Sequence, residues 1–441
     1  MNILILNGSP SGKNSITLYT MLYIEKFFPE HAYTTIHVGQ QIRSIEKDFT
    51  KSREALIAAD LIVFCYPVYT FLVPSQLHRF IELIKEQEID LHGKFATQIS
   101  TSKHFYDMTA HQFIEDNCRD LGLHYIRGLS ADMDDLTKEK GQKEALDFWR
   151  FVQWNIAENQ PDEASGEKTA SPAETDLSGK NGRIALITDA EEGSPLREMI
   201  EAFQSASPRK TDIVNIREFP FQGGCLGCFH CAADGTCIYK DGFDRFLRDN
   251  IQTADAIVYA YAVKDHSMGS RFKLFDDRQF CNGHRTVTMG KPVAYLVEGD
   301  LSKEPNLMTL MHARAEVGGN YLAGIADEKE KIVSLAKTLE YAIENQYQPP
   351  KDFYGVGGLK VFRDLIYQMQ GLMREDHRFY KKHGFYDFPQ KKKGRIVAMY
   401  LVGAMMNNPK IMKKIGGKMT EGMIMPYQKV LKDADKKGKR S

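Results

Sequence analysis

MNILILNGSPSGKNSIT, residues 1–17, opens on an unbroken apolar run and passes directly into Gly, Ser, Lys and Asn. A continuous Ile/Leu run bounded by turn residues reads as a strand buried on both faces, which is the habit of parallel sheets. Leu18, Met21, Leu22 and Phe28 then share one helical face, so a helix is expected from about Asn14. Strand, short polar loop and helix in that order make the first half of a βαβ unit.

The same order continues. AADLIVFCYPVY (58–69) reads as a second buried strand and PSQLHRFIELIKE (74–86) as a helix. GKFATQIST (93–101) is a third strand, with a helix around 108–120 and a last strand near 123–129. About 195 residues later the pattern returns: GRIALITDAEEGS (182–194), TADAIVYAYAV (253–263), FKLFDDR (272–278) and GKPVAYLVEG (290–299) fall at matching places. Alternating strands and helices imply right-handed crossovers, and the spacing predicts two doubly wound α/β sheets of strand order 2-1-3-4-5. In such sheets ligands sit beyond the carboxyl ends of the strands.

The 441 residues therefore divide, as an expectation, into 1–157, a linker at 158–181, a second α/β domain at 182–347, and a tail at 348–441. The linker, ENQPDEASGEKTASPAETDLSGKNG (158–182), holds no aromatic residue and too little apolar surface to offset the entropy of ordering it. In the tail Phe362, Leu365, Ile366, Met369, Leu372 and Met373 follow a helical period. Lys and Arg balance Asp and Glu at 58 each over the chain, yet from residue 350 onward 21 basic residues face 8 acidic ones. That asymmetry asks for an acidic partner, an anionic membrane surface or the acidic body of the same protein. No nucleic-acid-reading motif accompanies it, so nucleic acid is not an expected partner. The longest apolar run in the tail, IVAMYLVGAMM (396–406), is far short of a membrane crossing. No basic n-region precedes Asn2, so a cytoplasmic protein is expected.

The loop at residues 7–17 suits a phosphate. Amides at a helix N-terminus carry partial positive charge, and Ser9, Ser11, Asn14, Ser15 and Thr17 add short donors that do not crowd a ligand. Lys13 adds a full charge. The sequence is neither a Walker loop nor GxGxxG, and a plain turn with an N-cap remains the alternative. The second repeat has TDAEEGSPL (188–196) at the same place, where Asp189, Glu191 and Glu192 would repel a dianion. One nucleotide per chain, held in the first repeat, is the expectation. A second constellation, YPVYTFLVPSQL (66–77), sets Tyr66, Tyr69 and Phe71 at a strand's carboxyl end, either as a wall for a planar ring or as a loop packed on its own domain. The third strand of the first repeat runs into STSKHFYD, where His104, Tyr106 and Asp107 are side-wall candidates or ordinary loop residues.

These two loops and their spacing resemble the NADPH-dependent FMN reductase family of flavodoxin-like proteins, over roughly residues 1–345. The resemblance implies two tandem flavodoxin-like domains, phosphate held by Ser9, Ser11, Asn14, Ser15 and Thr17, and an isoalloxazine ring lined by Pro67, Val68, Tyr69 and Thr70. Family members commonly carry Arg where Ser11 stands, a charge that Lys13 would restore. The resemblance further implies an FMN-dependent oxidoreductase with NAD(P)H, a nicotinamide nucleotide, as electron donor. Flavin carries the redox chemistry itself, so no side chain is named as catalytic.

GGCLGCFHCAADGTC (223–237) spaces Cys225, Cys228, Cys231 and Cys237 as C-x2-C-x2-C-x5-C, close enough to wrap one metal centre. The spacing resembles the compact motif of the iron–sulfur flavoproteins, which implies a [4Fe–4S] cluster exchanging electrons with FMN. Zinc and free or redox-active thiols stay open as alternatives. Cys65, Cys118 and Cys281 lie on strand or helix patterns and are expected in the core. A non-catalytic binding or redox-sensing module that scaffolds a partner is the rival reading. The electron acceptor, whether a small molecule or a redox protein, and a homo-oligomeric state are left open.

Overall fold

The computed structural model describes residues 1–69, 71–159, 180–228, 230–406, 421–422 and 424–435. Most of the expected linker, and Thr70, lie outside the described residues. The chain forms two compact units: Met1–Ser165 with Phe388–Ser441, and Gly166–Asp387.

In the first unit the strands are β1 (Asn2–Asn7), β2 (Ala32–Ile36), β3 (Leu61–Pro67), β4 (Phe95–Ser102), β5 (His124–Tyr125) and β6 (Leu129–Asp132). They form one parallel sheet of order β2-β1-β3-β4, with β5 and β6 both paired to β4. The expected fifth strand is thus two short pieces. β5 pairs with Phe95 and Ala96, and β6 with Ile99 to Ser102. Between them Gly128 lies so near Gln98 that a Cβ there would sit 2.5 Å from the Gln98 carbonyl oxygen. The helices are α1 (Ile16–Phe27), α2 (Val38–Ile45), α3 (Thr50–Ala58), α4 (Ser75–Glu86), α5 (Asp107–Asp120) and α6 (Glu139–Asn159). β3 is buried from Leu61 to Tyr66, which is why it reads as a continuous apolar run rather than an alternating one.

The second unit repeats that strand order. Its strands are β7 (Lys180–Thr188), β8 (Arg209–Asn215), β9 (Ala256–Ala262), β10 (Pro292–Glu298) and β11 (Tyr321–Ala326), arranged β8-β7-β9-β10-β11, all parallel. Its helices are α7 (Pro195–Ala206), α8 (His230–Asp234), α9 (Phe243–Phe246), α10 (Gly269–Arg278), α11 (Pro305–Gly318), α12 (Lys329–Glu344), α13 (Phe353–Gln368) and α14 (Arg374–Lys382). α13 ends before Gly371, so of the tail's apolar series Ile366 and Met373 are buried while Leu365 and Leu372 stay exposed. Ile366, Met373 and Tyr380 pack against Ala232 of α8.

The chain from Phe388 groups with the first unit. It carries α15 (Lys393–Met406), and residues 424–435 lie along α1. There Ile424, Tyr427 and Ala434 pack with Tyr19 and Tyr23, and the Tyr427 hydroxyl donates to the Met133 carbonyl at 2.7 Å.

Candidate functional site

A cavity of about 400 Å³ opens at the carboxyl ends of β1, β3 and β4 in the first unit. One end is polar. Ser9, Ser11, Asn14, Ser15 and Thr17 line it, just where α1 begins. Asn7 shapes that loop: its side chain donates to the Gly12 carbonyl at 2.8 Å and accepts from the Ser9 amide at 3.2 Å. The Ser15 hydroxyl caps α1, accepting from the Leu18 amide at 3.4 Å. Gly12, at φ +54, makes the turn, and Gly39 of α2 lets helix and loop approach. A Cβ on Gly39 would lie 2.2 Å from the Ser9 carbonyl oxygen. Backbone amides, a helix N-terminus and five short side-chain donors around one hollow fit a phosphate.

The other end is aromatic. Pro67, Val68, Tyr69 and Phe71 come from the loop after β3, Phe105 from the loop after β4. Tyr69, Phe71 and Phe105 are 49%, 44% and 59% exposed, high for large apolar rings. Phe71 and Phe105 lie 5.3 Å apart, and Thr109 binds the two loops by donating to the Phe71 carbonyl. Phe71, His104 and Tyr106 all hold positive φ (69°, 60° and 52°), a conformation costly for residues with a Cβ and concentrated at functional loops.

Apart from Thr70, which lies outside the described residues, and Lys13, the expected phosphate and ring residues line one cavity, with three differences from the expectation. Lys13 is exposed and stands off the cavity wall, whereas Lys103 is on it, paired with Asp132 at 2.7 Å. Thr101, Ser102, Met133 and Ile424 also line the cavity without having been singled out by sequence. Thr101 joins the polar end through a 2.5 Å hydrogen bond between its hydroxyl and that of Thr17. The signal for Thr101 to Lys103 was their position at the carboxyl end of the neighbouring strand. His104 and Asp107 instead turn inward, where His104 Nδ1 lies 2.9 Å from Asp107 and the Ser130 hydroxyl donates to the same carboxylate at 2.6 Å. Tyr106 is 40% exposed beside Phe71.

The matching corner of the second unit is closed by its own acid. Glu298, at the end of β10, accepts from the Leu196 amide in the first turn of α7 at 3.1 Å. Asp189 is buried, and burial raises its carboxyl above the ordinary range. Glu191 pairs with Arg217 at 2.7 Å. A helix N-terminus already satisfied by a carboxylate has no need of a phosphate.

The cysteine segment leaves the carboxyl end of β8. Cys225, Cys228, Cys231 and Cys237 all line one hollow of about 330 Å³, and buried Cys281 joins them there. All seven cysteines of the chain carry free thiols. Cys65 and Cys118 are buried, as expected. Among the described residues no three His, Cys, Asp or Glu side chains converge as ligands of a single metal ion.

A buried ion pair closes the segment. Arg278 donates to both Asp241 oxygens at 2.8 Å and to the Gly223 carbonyl at 2.8 Å, and its guanidinium is 4.6 Å from the Tyr239 ring centroid. Burial alone would raise the Asp241 carboxyl, but Arg278 and the Gln222 and Phe243 amides hold it below its ordinary range. The same guanidinium lies 3.8 Å from Cys237 Sγ, and its Nε is buried with no partner among the described residues. Burial and nearby Asp376 raise the Cys231 thiol, which donates to the Phe280 carbonyl at 2.9 Å. Five cysteines thus share one hollow, with Cys237 beside the Arg278–Asp241 pair, but their sulfurs are not gathered as a ligand set.

An iron-sulfur flavoprotein of Archaeoglobus fulgidus is 28% identical over 174 residues, covering 36% of this chain and 79% of that protein. Among solved structures, an FMN-dependent NADH-azoreductase from Bacillus anthracis in complex with FMN aligns at 13% identity and TM-score 0.28, over 35% of this chain and 98% of that one. The NAD(P)H:quinone oxidoreductase from Methanothermobacter marburgensis aligns at 13% identity and TM-score 0.28, over 37% and 98%. Residues 1–128, which hold both loops of the cavity singled out by sequence, match the model of the NADPH-dependent FMN reductase family.

Proposed function

We propose that the first unit binds one FMN, its phosphate among Ser9, Ser11, Asn14, Ser15 and Thr17 and its ring along Pro67, Val68 and Tyr69, and that the chain is an NAD(P)H-dependent FMN oxidoreductase. Bound flavin supplies hydride acceptance and electron release in one- or two-electron steps. The chain's own residues bind and orient: hydroxyls and amides fix the phosphate, and the aromatic rim shields the ring from water. The observation that carries this reading is one cavity with a phosphate-type end and an aromatic end, while the matching corner of the second unit is filled by Glu298. Full-length protein purified without oxygen should be yellow to brown, release FMN on denaturation and bleach with NAD(P)H. A colourless preparation without releasable FMN supports the rival binding module instead.

The four-cysteine hollow is the proposed seat of a [4Fe–4S] cluster that exchanges electrons with the flavin. Its support is that the four cysteines line one hollow. Iron and acid-labile sulfide in the same preparation test it; zinc, or thiols without metal, would replace that reading with a structural site or a thiol switch.

The basic tail is proposed to meet an anionic lipid surface from the outside of the membrane. In α15, Val397, Tyr400 and Leu401 are 58%, 78% and 64% exposed, and Lys391, Lys392, Lys393 and Arg395 sit at its start. No helix among the described residues is long and apolar enough to cross a membrane, so the contact is interfacial.

A further inference from the structure

Residues 424–435 come from the far end of the chain, yet they help to build the cavity of the first unit. They are helical, and only one face of them is covered. Ile424, Tyr427 and Ala434 are buried and Val430 and Leu431 partly so, while Met425 on the other side is 62% exposed. That spacing suits a helix laid along another helix, and the helix beneath it is α1. The Tyr427 and Tyr19 rings are 6.1 Å apart, Tyr23 joins the same cluster, and Lys26 near the end of α1 pairs with Asp435.

Two paths lead from this packing to the cavity. One is apolar: Ile16, the first residue of α1, packs on the same cluster as Ile424, and both line the cavity. Ile16 sits between Ser15 and Thr17 of the polar end. The other path is hydrogen-bonded. The Tyr427 hydroxyl donates to the Met133 carbonyl at 2.7 Å, and the Met133 amide donates to the Ser102 carbonyl at 3.1 Å. Met133 and Ser102 both line the cavity, and Ser102 follows Thr101, whose hydroxyl meets that of Thr17. Burial, with Asp134 and Asp132 nearby, raises the Tyr427 phenol to about 12, so it stays a donor throughout the neutral range.

The segment is peripheral to the fold. The apolar core between the sheet and α4 and α5 contains none of its residues, and the strand order closes without it. It can therefore loosen from α1 without opening that core, as a local unit of lower stability. What loosening would disturb is the start of α1 and the Ser102–Met133 bond, both on the cavity wall.

We propose that residues 424–435 form a strap along α1 whose docking and FMN binding reinforce one another, so that the C-terminal segment sets how tightly the first unit holds its flavin. The inference rests on the FMN reading above. Coupling between two sites is reciprocal, so the full chain is tested in both directions. Tyr427→Phe removes one hydroxyl and leaves the ring packing, and FMN affinity read by flavin fluorescence quenching should fall about fivefold; Ile424→Ala should lower it about tenfold. In the wild type, FMN should slow amide hydrogen exchange across residues 424–435 about tenfold more than across α3, which belongs to the same unit and does not line the cavity. A strap that is merely structural would be slowed no more than α3. Wild type and both variants binding FMN alike, or equal slowing of the strap and α3, would overturn the strap while leaving the flavin site standing. A wild type that binds no FMN would overturn both.

Discussion

Replacing Ser11 with Glu puts into the first unit the acidic chemistry that the second unit has at its own loop. Ser11 lines the polar end of the cavity, is exposed, and offers no buried contact that the change would destroy. A carboxylate there would stand roughly 5 Å from a phosphate of charge about −2. At an effective dielectric of about 40 for a cavity mouth, the repulsion is about 3 kcal/mol. Screening at ~0.15 M salt, where the Debye length is about 8 Å, leaves about 1.5–2 kcal/mol. That corresponds to FMN affinity falling about 10- to 30-fold. Riboflavin, which has the ring but no phosphate, should bind both proteins alike, and Ser11→Gln should cost FMN less than threefold. Flavin fluorescence quenching reads all of these. An acid near the start of α1 also suits the helix dipole, so the melting temperature should not fall. Equal losses for FMN and riboflavin, or no loss for either, would refute a phosphate seat in this loop.

Three other outcomes follow from the geometry. Asp241→Asn breaks a pair in which both side chains are almost fully buried, and the second unit should lose about 3–5 kcal/mol; a melting temperature unchanged within a degree contradicts the clasp. His111, whose ring nitrogen lies 2.8 Å from the Ser100 hydroxyl, is lowered to about 4 by burial, against the opposing pull of Asp107. The unfolded chain protonates it first, so stability is full above about pH 6.5 and falls by about 3 kcal/mol by pH 4; urea titrations of wild type and His111→Asn should converge as the pH drops, and parallel curves would refute this. Vesicles rich in anionic lipid should sediment the full chain at low salt and not at high salt, with Tyr400→Glu and Leu401→Glu together preventing it; equal sedimentation with zwitterionic vesicles would remove the charge argument, and concentration-dependent self-association in its place would identify α15 as a contact between copies.

Much of the fold was legible because parallel strands advertise themselves. β1 and β3 are apolar without interruption, and their spacing to the next helices fixed the strand order. The divided fifth strand was not legible, since nothing local to Gly128 shows that Gln98 passes against it. At the cavity, the loops at Ser9–Thr17 and Pro67–Tyr69 are local patterns and could be read. Lys103 and Phe105 are long-range neighbours, placed there by β4 lying beside β3, and Ile424 arrives from the far end of the chain. Lys13 misled because a loop of a few residues points successive side chains in different directions. Cys281 looked like core and is buried, yet it faces the same hollow as the four-cysteine segment, a relation set by α10 and the turn at Gly283. The acid that occupies the α7 N-terminus was sought in the adjacent loop; Glu298, about a hundred residues on, makes the hydrogen bond.

The central claim is that one FMN phosphate rests on the loop entering α1, and crystals of the full chain grown with FMN test it most directly. The account predicts phosphate density within hydrogen-bonding reach of Ser9, Ser15 and Thr17, the ring against Pro67 to Tyr69, and no flavin at the α7 corner beside Glu298. Flavin bound in the second unit, or a first-unit cavity still empty at saturating FMN, would contradict it.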